Sequence, residues 1–140
     1  MRIIISIVVI VWGGLAFGQG DINQLDSEEM KQGHWEKKYK NGKLKYSGQF
    51  KDNIPTGKFE RFSNEGKLSS TLLYTPGEKI VVAQLFHANG KVLADGNYID
   101  QKKDSLWKFY RNDGLLFSEA FYLGGTHWGA FYFRKQLSGI

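Results

Sequence analysis

The sequence predicts an all-β fold, an elongated antiparallel meander of four and a half β-hairpins with a 24-residue period, and three observations predict it. Gly42, Gly66, Gly90 and Gly114 stand 24 residues apart, in Lys40-Asn41-Gly42-Lys43, Asn64-Glu65-Gly66-Lys67, Ala88-Asn89-Gly90-Lys91 and Asn112-Asp113-Gly114-Leu115. Asn, Asp and Gly tolerate the positive φ that tight turns between antiparallel strands require, so these are structural turns rather than ligand loops. Two cohorts keep step with them: Leu44, Leu68, Val92 and Leu116 come two residues after each glycine, and Phe50, Tyr74, Tyr98 and Tyr122 come eight after. Aromatics make up 15% of the chain and proline occurs twice in 140 residues, a composition that favours strands over disorder. One period held by three cohorts reads as a repeat array.

Three regions follow from the N-terminus. Residues 1–18 read as a signal peptide: Arg2 supplies the positive start, Ile3 to Leu15 is an uncharged apolar and glycine run, and Ala16-Phe17-Gly18 offers small residues for cleavage before Gln19. A membrane span needs about 20 apolar residues, and this run gives way at once to Gly18, Gln19 and Asp21. Export to the periplasm or the extracellular space is the expected localisation. Residues 19–32 are polar, with Asp26, Glu28 and Glu29, and show no apolar period; they read as a flexible leader with a possible short helix capped by Ser27.

Residues 33–140 are the repeat domain. The first hairpin spans 33–51, with Trp35 and Tyr39 before its turn. A two-residue turn at Asn41-Gly42 would set Tyr39 opposite Leu44, Lys37 opposite Tyr46 and Trp35 opposite Gly48, an indole covering a glycine across the strand pair. The second hairpin (57–75) carries Phe59, Phe62, Leu68, Leu72 and Tyr74, and the third (80–99) carries Leu85, Phe86, Val92 and Tyr98. The fourth (105–123) carries Trp107, Phe109, Tyr110, Leu116, Phe121 and Tyr122, and Gly129, Phe131 and Phe133 form a half repeat. Turns two and four read one residue longer than turns one and three, which predicts a register that differs between repeats. The links at 52–56, 76–79, 100–104 and 124–127 are short, so successive hairpins are neighbours in a meander of about nine strands.

Gly33-His34-Trp35, Tyr39-Lys40-Asn41-Gly42-Lys43-Leu44 and Gly57-Lys58-Phe59 together resemble the variant MORN repeat, and the resemblance runs from Gly33 to about Phe133. It implies an elongated antiparallel sheet used for protein association, with lipid head-group binding in some members. Bacterial proteins of this kind are often labelled antitoxin-like, which makes an inhibitor a further alternative. The third repeat departs from the pattern, with Val81 and Ala83 in place of the opening Gly and aromatic, and Ser105 replaces the opening Gly of the fourth.

The residues point away from catalysis. Cysteine is absent, which removes disulfides and thiol chemistry. His34, His87 and His127 lack a metal-ligand spacing, and neither a nucleophile elbow nor a phosphate loop occurs. Glu60, Asp95, Asp113 and Glu119 offer carboxylates with nothing to drive their protonation apart. No enzyme activity, metal or cofactor is expected. The net charge of +5 falls to +4 without residues 1–18, too little to argue for nucleic acid.

Binding is the remaining class. Trp107, Phe109, Tyr110, Phe117, Phe121, Trp128, Phe131 and Phe133 crowd the C-terminal end and are the expected partner-binding residues, for another protein or a second copy of the chain. Arg134 and Lys135 would discourage strand addition there. Lys43, Lys67 and Lys91 keep the period and could form a cationic column facing a membrane surface or an envelope polysaccharide. Aromatic hairpins also build choline- and glucan-binding arrays, although those carry Trp-Tyr pairs in nearly every unit.

Overall fold

The computed structural model describes residues 21–132. The expected signal peptide, Phe133, Arg134 and Lys135 lie outside the described residues. Ten strands follow one another: β1 (Gln24–Leu25), β2 (Lys31–Lys38), β3 (Leu44–Lys51), β4 (Ile54–Phe62), β5 (Leu68–Tyr74), β6 (Ile80–Phe86), β7 (Val92–Ile99), β8 (Lys102–Tyr110), β9 (Leu116–Leu123) and β10 (Thr126–Tyr132). Each pairs antiparallel with its sequence neighbours in one open sheet, in the order β1 to β10. The all-β meander predicted from the glycine period is the observed fold.

The polar leader contributes more than expected. Its Gln24 and Leu25 pair with Gln32 and Lys31. Residues 26–30 make a turn, closed by Glu29 N to Asp26 O at 3.1 Å and Asp26 N to Met30 O at 3.0 Å, where a Ser27-capped helix was an option. The Asp26 carboxylate accepts from the Glu28 and Met30 amides and from Gln32 Nε2, and the Met30 bond foremost holds its pKa below the ordinary value.

The four hairpin turns are identical, which corrects the expectation of two lengths. In each, the glycine amide donates back three residues (Gly42 to Tyr39, Gly66 to Ser63, Gly90 to His87, Gly114 to Arg111), with the glycine at φ between 82° and 92°. That is a type I turn followed by a left-handed glycine. A bulge follows at the same place in every repeat, leaving Lys45, Ser69, Leu93 and Phe117 as the extra residue. The bulge restores the expected pairs Lys37–Tyr46 and Trp35–Gly48, whereas Leu44 faces Lys38 and not Tyr39.

The return links are tighter than read. Asp52-Asn53 and Asp100-Gln101 turn the chain with both residues at positive φ (51° and 65°, 49° and 64°), and Gly124-Gly125 does the same. Only 75–79 is a longer loop.

The core is a row across the sheet, and the leucines that keep step with the turn glycines lie outside it. Phe59, Leu72, Ala83, Ala94 and Trp107 form the buried cluster, with Tyr46, Phe50, Tyr74, Val81, Leu85, Tyr98, Phe109 and Tyr122 packed on it. Register explains the row: Trp35, Gly48, Phe59, Leu72, Ala83 and Gly96 are successive cross-strand partners, and Trp107 then faces Ala120. Large and small side chains alternate along it, so one layer packs its own face. Leu44, Leu68, Val92 and Leu116 are only half-buried, beside the turns.

The glycines of this row are placed by close approach. A Cβ on Gly48 would stand 2.6 Å from Phe59 Cε2, and one on Gly96 would stand 2.6 Å from Trp107 Cγ. The ring over Gly48 is therefore Phe59 and not the expected Trp35. The indole-over-glycine contact occurs at Gly96.

Candidate functional site: the aromatic faces of the sheet

Alternation along each strand sorts the expected binding residues onto two faces. Trp107 and Phe109 belong to the core face. Trp107 is 0% exposed, donates Nε1 to Asn97 O at 3.0 Å and packs against Tyr98 with ring centres 5.0 Å apart. Lys103 Nζ lies 4.6 Å from the Trp107 ring centre and 5.1 Å from that of Tyr122, and burial among these rings lowers its pKa. Trp107 thus holds the sheet together and presents no contact surface.

Phe121 lies on the opposite, outer face, opposite Leu106, and Phe131 pairs with Glu119 of that same face. Tyr110 is also turned outward: burial, then its hydrogen bond to Asp95, then the charges of Asp95 and Glu119 push its phenol up to about 12. Phe117 is the bulge residue of the fourth hairpin, and its ring meets Tyr132 edge-on at 5.7 Å. Trp128 sits at an irregularity in β10 and is exposed. The expected residues therefore divide. Trp107 and Phe109 are core, while Phe117, Phe121, Trp128 and Phe131 are exposed on β9 and β10, as is Tyr132, which pairs with Ser118 of the core face.

The outer face carries a polar row: Glu36, Ser47, Glu60, Thr71, Gln84, Asp95, Lys108 and Glu119 are successive cross-strand partners. Its charges are partnered in part, Glu60 by Lys58 and Glu36 by His34. His34 also meets Ser47 Oγ at 3.1 Å, His87 Nε2 meets Tyr110 O at 2.9 Å, and His127 packs on Tyr122. Each histidine has a structural partner. Among the described residues no group of three or more acidic, histidine or cysteine side chains could hold a metal ion.

The expected lysine column is engaged at all three positions, Lys67 by the exposed Glu65 carboxylate at 3.8 Å and the other two by neighbouring turns. Lys43 Nζ donates to Glu65 O at 2.8 Å and Lys91 Nζ to Asp113 O at 2.9 Å. Asn41 and Asn89 donate to Asn64 O and Asn112 O, both at 2.8 Å, and Tyr39 and His87 reach Phe62 O and Tyr110 O. Turn one is stitched to turn two, and turn three to turn four. Among the described residues no such bond joins turn two to turn three. The bonds recur after two hairpins, a period of 48 residues, twice the spacing of the glycines.

The opening position is left-handed in the first, second and fourth repeats, Gly33 at φ 68° included, and not in the third. Gly57 and Ser105 lie 48 residues apart, both left-handed at φ 65° and 62°, within irregularities of the β3–β4 and β7–β8 pairings. Val81 is possible because the β5–β6 pairing keeps one register throughout.

Residues 31–52 and 81–100 match the model of the MORN repeat variant family. These MORN segments are the first and third hairpins, the two whose Asn and Lys side chains reach the next turn. The divergent third repeat is therefore one of the matched ones, whereas the second, with its Gly57-Lys58-Phe59 opening, is not. MORN repeats are generally involved in protein or membrane-lipid interactions and are typically non-catalytic. No curated protein and no solved structure matches the chain.

Proposed function

We propose that the protein is an exported, non-enzymatic MORN-type scaffold that binds another protein, or a second copy of itself, through β9 and β10. One observation carries this reading. Phe117, Phe121, Trp128, Phe131 and Tyr132 are 46%, 50%, 69%, 75% and 71% exposed, and all five lie on the adjacent strands β9 and β10. Exposed aromatics grouped in this way supply large contact area at small entropic cost, as partner-binding residues do. Export rests on the apolar start of the chain, and N-terminal sequencing of protein recovered outside the cytoplasm should begin at Gln19. Retention of Met1 would count against it.

Light scattering after size exclusion should return a mass above the 16.0 kDa of one chain, or a pull-down should retain a specific protein. In either case Trp128→Ser with Phe131→Ser should abolish the association while leaving the melting temperature nearly unchanged. A monomer that retains nothing refutes the scaffold reading. The competing reading, a membrane or polysaccharide surface, has less support, because Lys43 and Lys91 are bonded to neighbouring turns. Salt-sensitive pelleting with anionic vesicles or peptidoglycan would favour it over the protein partner.

A further inference from the structure

The core face holds two clusters of rings with a cleft between them. Trp35, Tyr46, Phe50, Phe59 and Tyr74 form one cluster, and Tyr98, Trp107 and Phe109 the other. Between them β5, β6 and β7 carry Ser70, Ala83 and Ala94, whose small side chains leave the space open. The resulting depression has a volume of about 570 Å³ and is bordered by Arg61, Leu72, Tyr74, Val81, Leu85 and Tyr98. A second, of about 530 Å³, adjoins it and shares Pro55, Arg61 and Tyr74. Both volumes are those of small-molecule sites.

Among the described residues, Arg61 is the only charged one bordering the larger depression. Its carbonyl accepts from Ser69 Oγ, but among the described residues its exposed guanidinium makes no hydrogen bond and no ion pair. Its cross-strand partners are Tyr46 and Ser70, and Glu60, its neighbour in sequence, belongs to the outer face. Tyr74 and Tyr98 stand within the field of the guanidinium: burial raises both phenols, and the Arg61 charge partly offsets the rise. Both hydroxyls are therefore protonated donors at neutral pH. A cation without a counterion, two phenols and an apolar floor occur together.

We infer that this cleft binds a small amphiphilic carboxylate, with the carboxylate on the Arg61 fork and a ring or short chain against Leu72, Val81 and Leu85. A planar guanidinium pairs two N–H groups with a carboxylate, and its single charge matches a monoanion better than a phosphate dianion. The ring clusters wall the cleft on both sides, which favours a compact ligand over an extended peptide. The site lies on the core face, apart from the exposed β9–β10 group, and does not depend on the scaffold reading.

Titration of the full chain with phenylbutyrate and with its neutral analogue phenylbutanol, followed by residue-resolved NMR, tests the site. Phenylbutyrate should shift the Arg61 side-chain N–H and the Ser70 and Leu72 amides. Phenylbutanol should bind at least about fivefold more weakly, the size expected for one charge-assisted hydrogen-bond pair open to water. Arg61→Gln should erase that preference with an unchanged melting temperature, and Arg61→Lys should keep only part of it. Equal binding of the two probes overturns the inference, as does a preference that survives in folded Arg61→Gln or the absence of shifts around the cleft. A third arm uses acetyl-Leu-Glu-Phe-amide, and binding of that peptide with phenylbutyrate silent would overturn the assignment to a small ligand.

Discussion

Replacing Gly96 with alanine adds one methyl group, and the structure leaves no room for it. The new Cβ would stand 2.5 Å from Trp107 Cε2 and 2.6 Å from Cγ, about an ångström inside ordinary carbon contact. The indole cannot retreat. It is 0% exposed, Tyr98 and Phe109 lie 5.0 and 6.3 Å away between ring centres, and Lys103 Nζ covers it at 4.6 Å. Overpacking costs about 1–3 kcal/mol. Displacing the indole also weakens the 3.0 Å bond to Asn97 O, at about 1 kcal/mol. Loss of glycine flexibility in the unfolded chain returns about 0.5–1 kcal/mol. The net loss is about 1–3.5 kcal/mol, centred on about 2, a large share of a typical stability of about 5–15 kcal/mol. Urea unfolding followed by circular dichroism measures it, with the slope unchanged. In a Trp107→Leu background the same substitution should cost less than about 1 kcal/mol, a coupling of about 2 kcal/mol. A Gly96→Ala protein within about 1 kcal/mol of the parent, or an equal cost in both backgrounds, would refute the close-approach account of this glycine.

Ser105→Gly should stabilise the protein by about 1 kcal/mol, because φ 62° is strained for serine; Gly57→Ser should cost a similar amount, and a destabilised Ser105→Gly would show that the Ser105 bond to Asp104 matters more than the strain. Asn89→Ala should cost about 1–2 kcal/mol through the bonds to Lys91 N and Asn112 O, whereas Asn64→Ala, whose side chain makes no hydrogen bond among the described residues, should stay within about 0.5 kcal/mol. Tyr110 ionises near 10.0 when unfolded and at about 12 when folded, so the folded state holds its proton longer. The stability that Tyr110 contributes is present below the unfolded value and is lost as pH rises through the folded one. Chemical denaturation across that window should show the loss in the parent and a shallower one in Tyr110→Phe; equal slopes would remove Tyr110 as the cause.

Much of the fold was legible because turn chemistry is local. A left-handed residue must follow a type I turn wherever the chain reverses this way, and glycine meets that need without help from its neighbours. Register was less legible. Asn41-Gly42 and Glu65-Gly66 read as turns of different length, yet both close alike, because each is a type I turn with a left-handed glycine followed by the same bulge, at Lys45 and at Ser69. The binding residues were legible as a group and not as a site. Trp107 and Trp128 look equivalent in composition and have opposite fates, one under Lys103 and the other in solvent. Arg61 was missed altogether, for nothing in the sequence marks a cation that ends among rings from β3, β5 and β7.

The amino-acid sequence by itself determined the 24-residue period, the turn positions and the antiparallel order, since these depend on backbone preferences within a few residues. Tertiary structure decided the 48-residue pairing of turns, the alternation of rings over Gly48 and Gly96, and the open cleft at Arg61. Those features depend on which side chains meet across strands a hairpin apart, and that juxtaposition exists only once the sheet has formed.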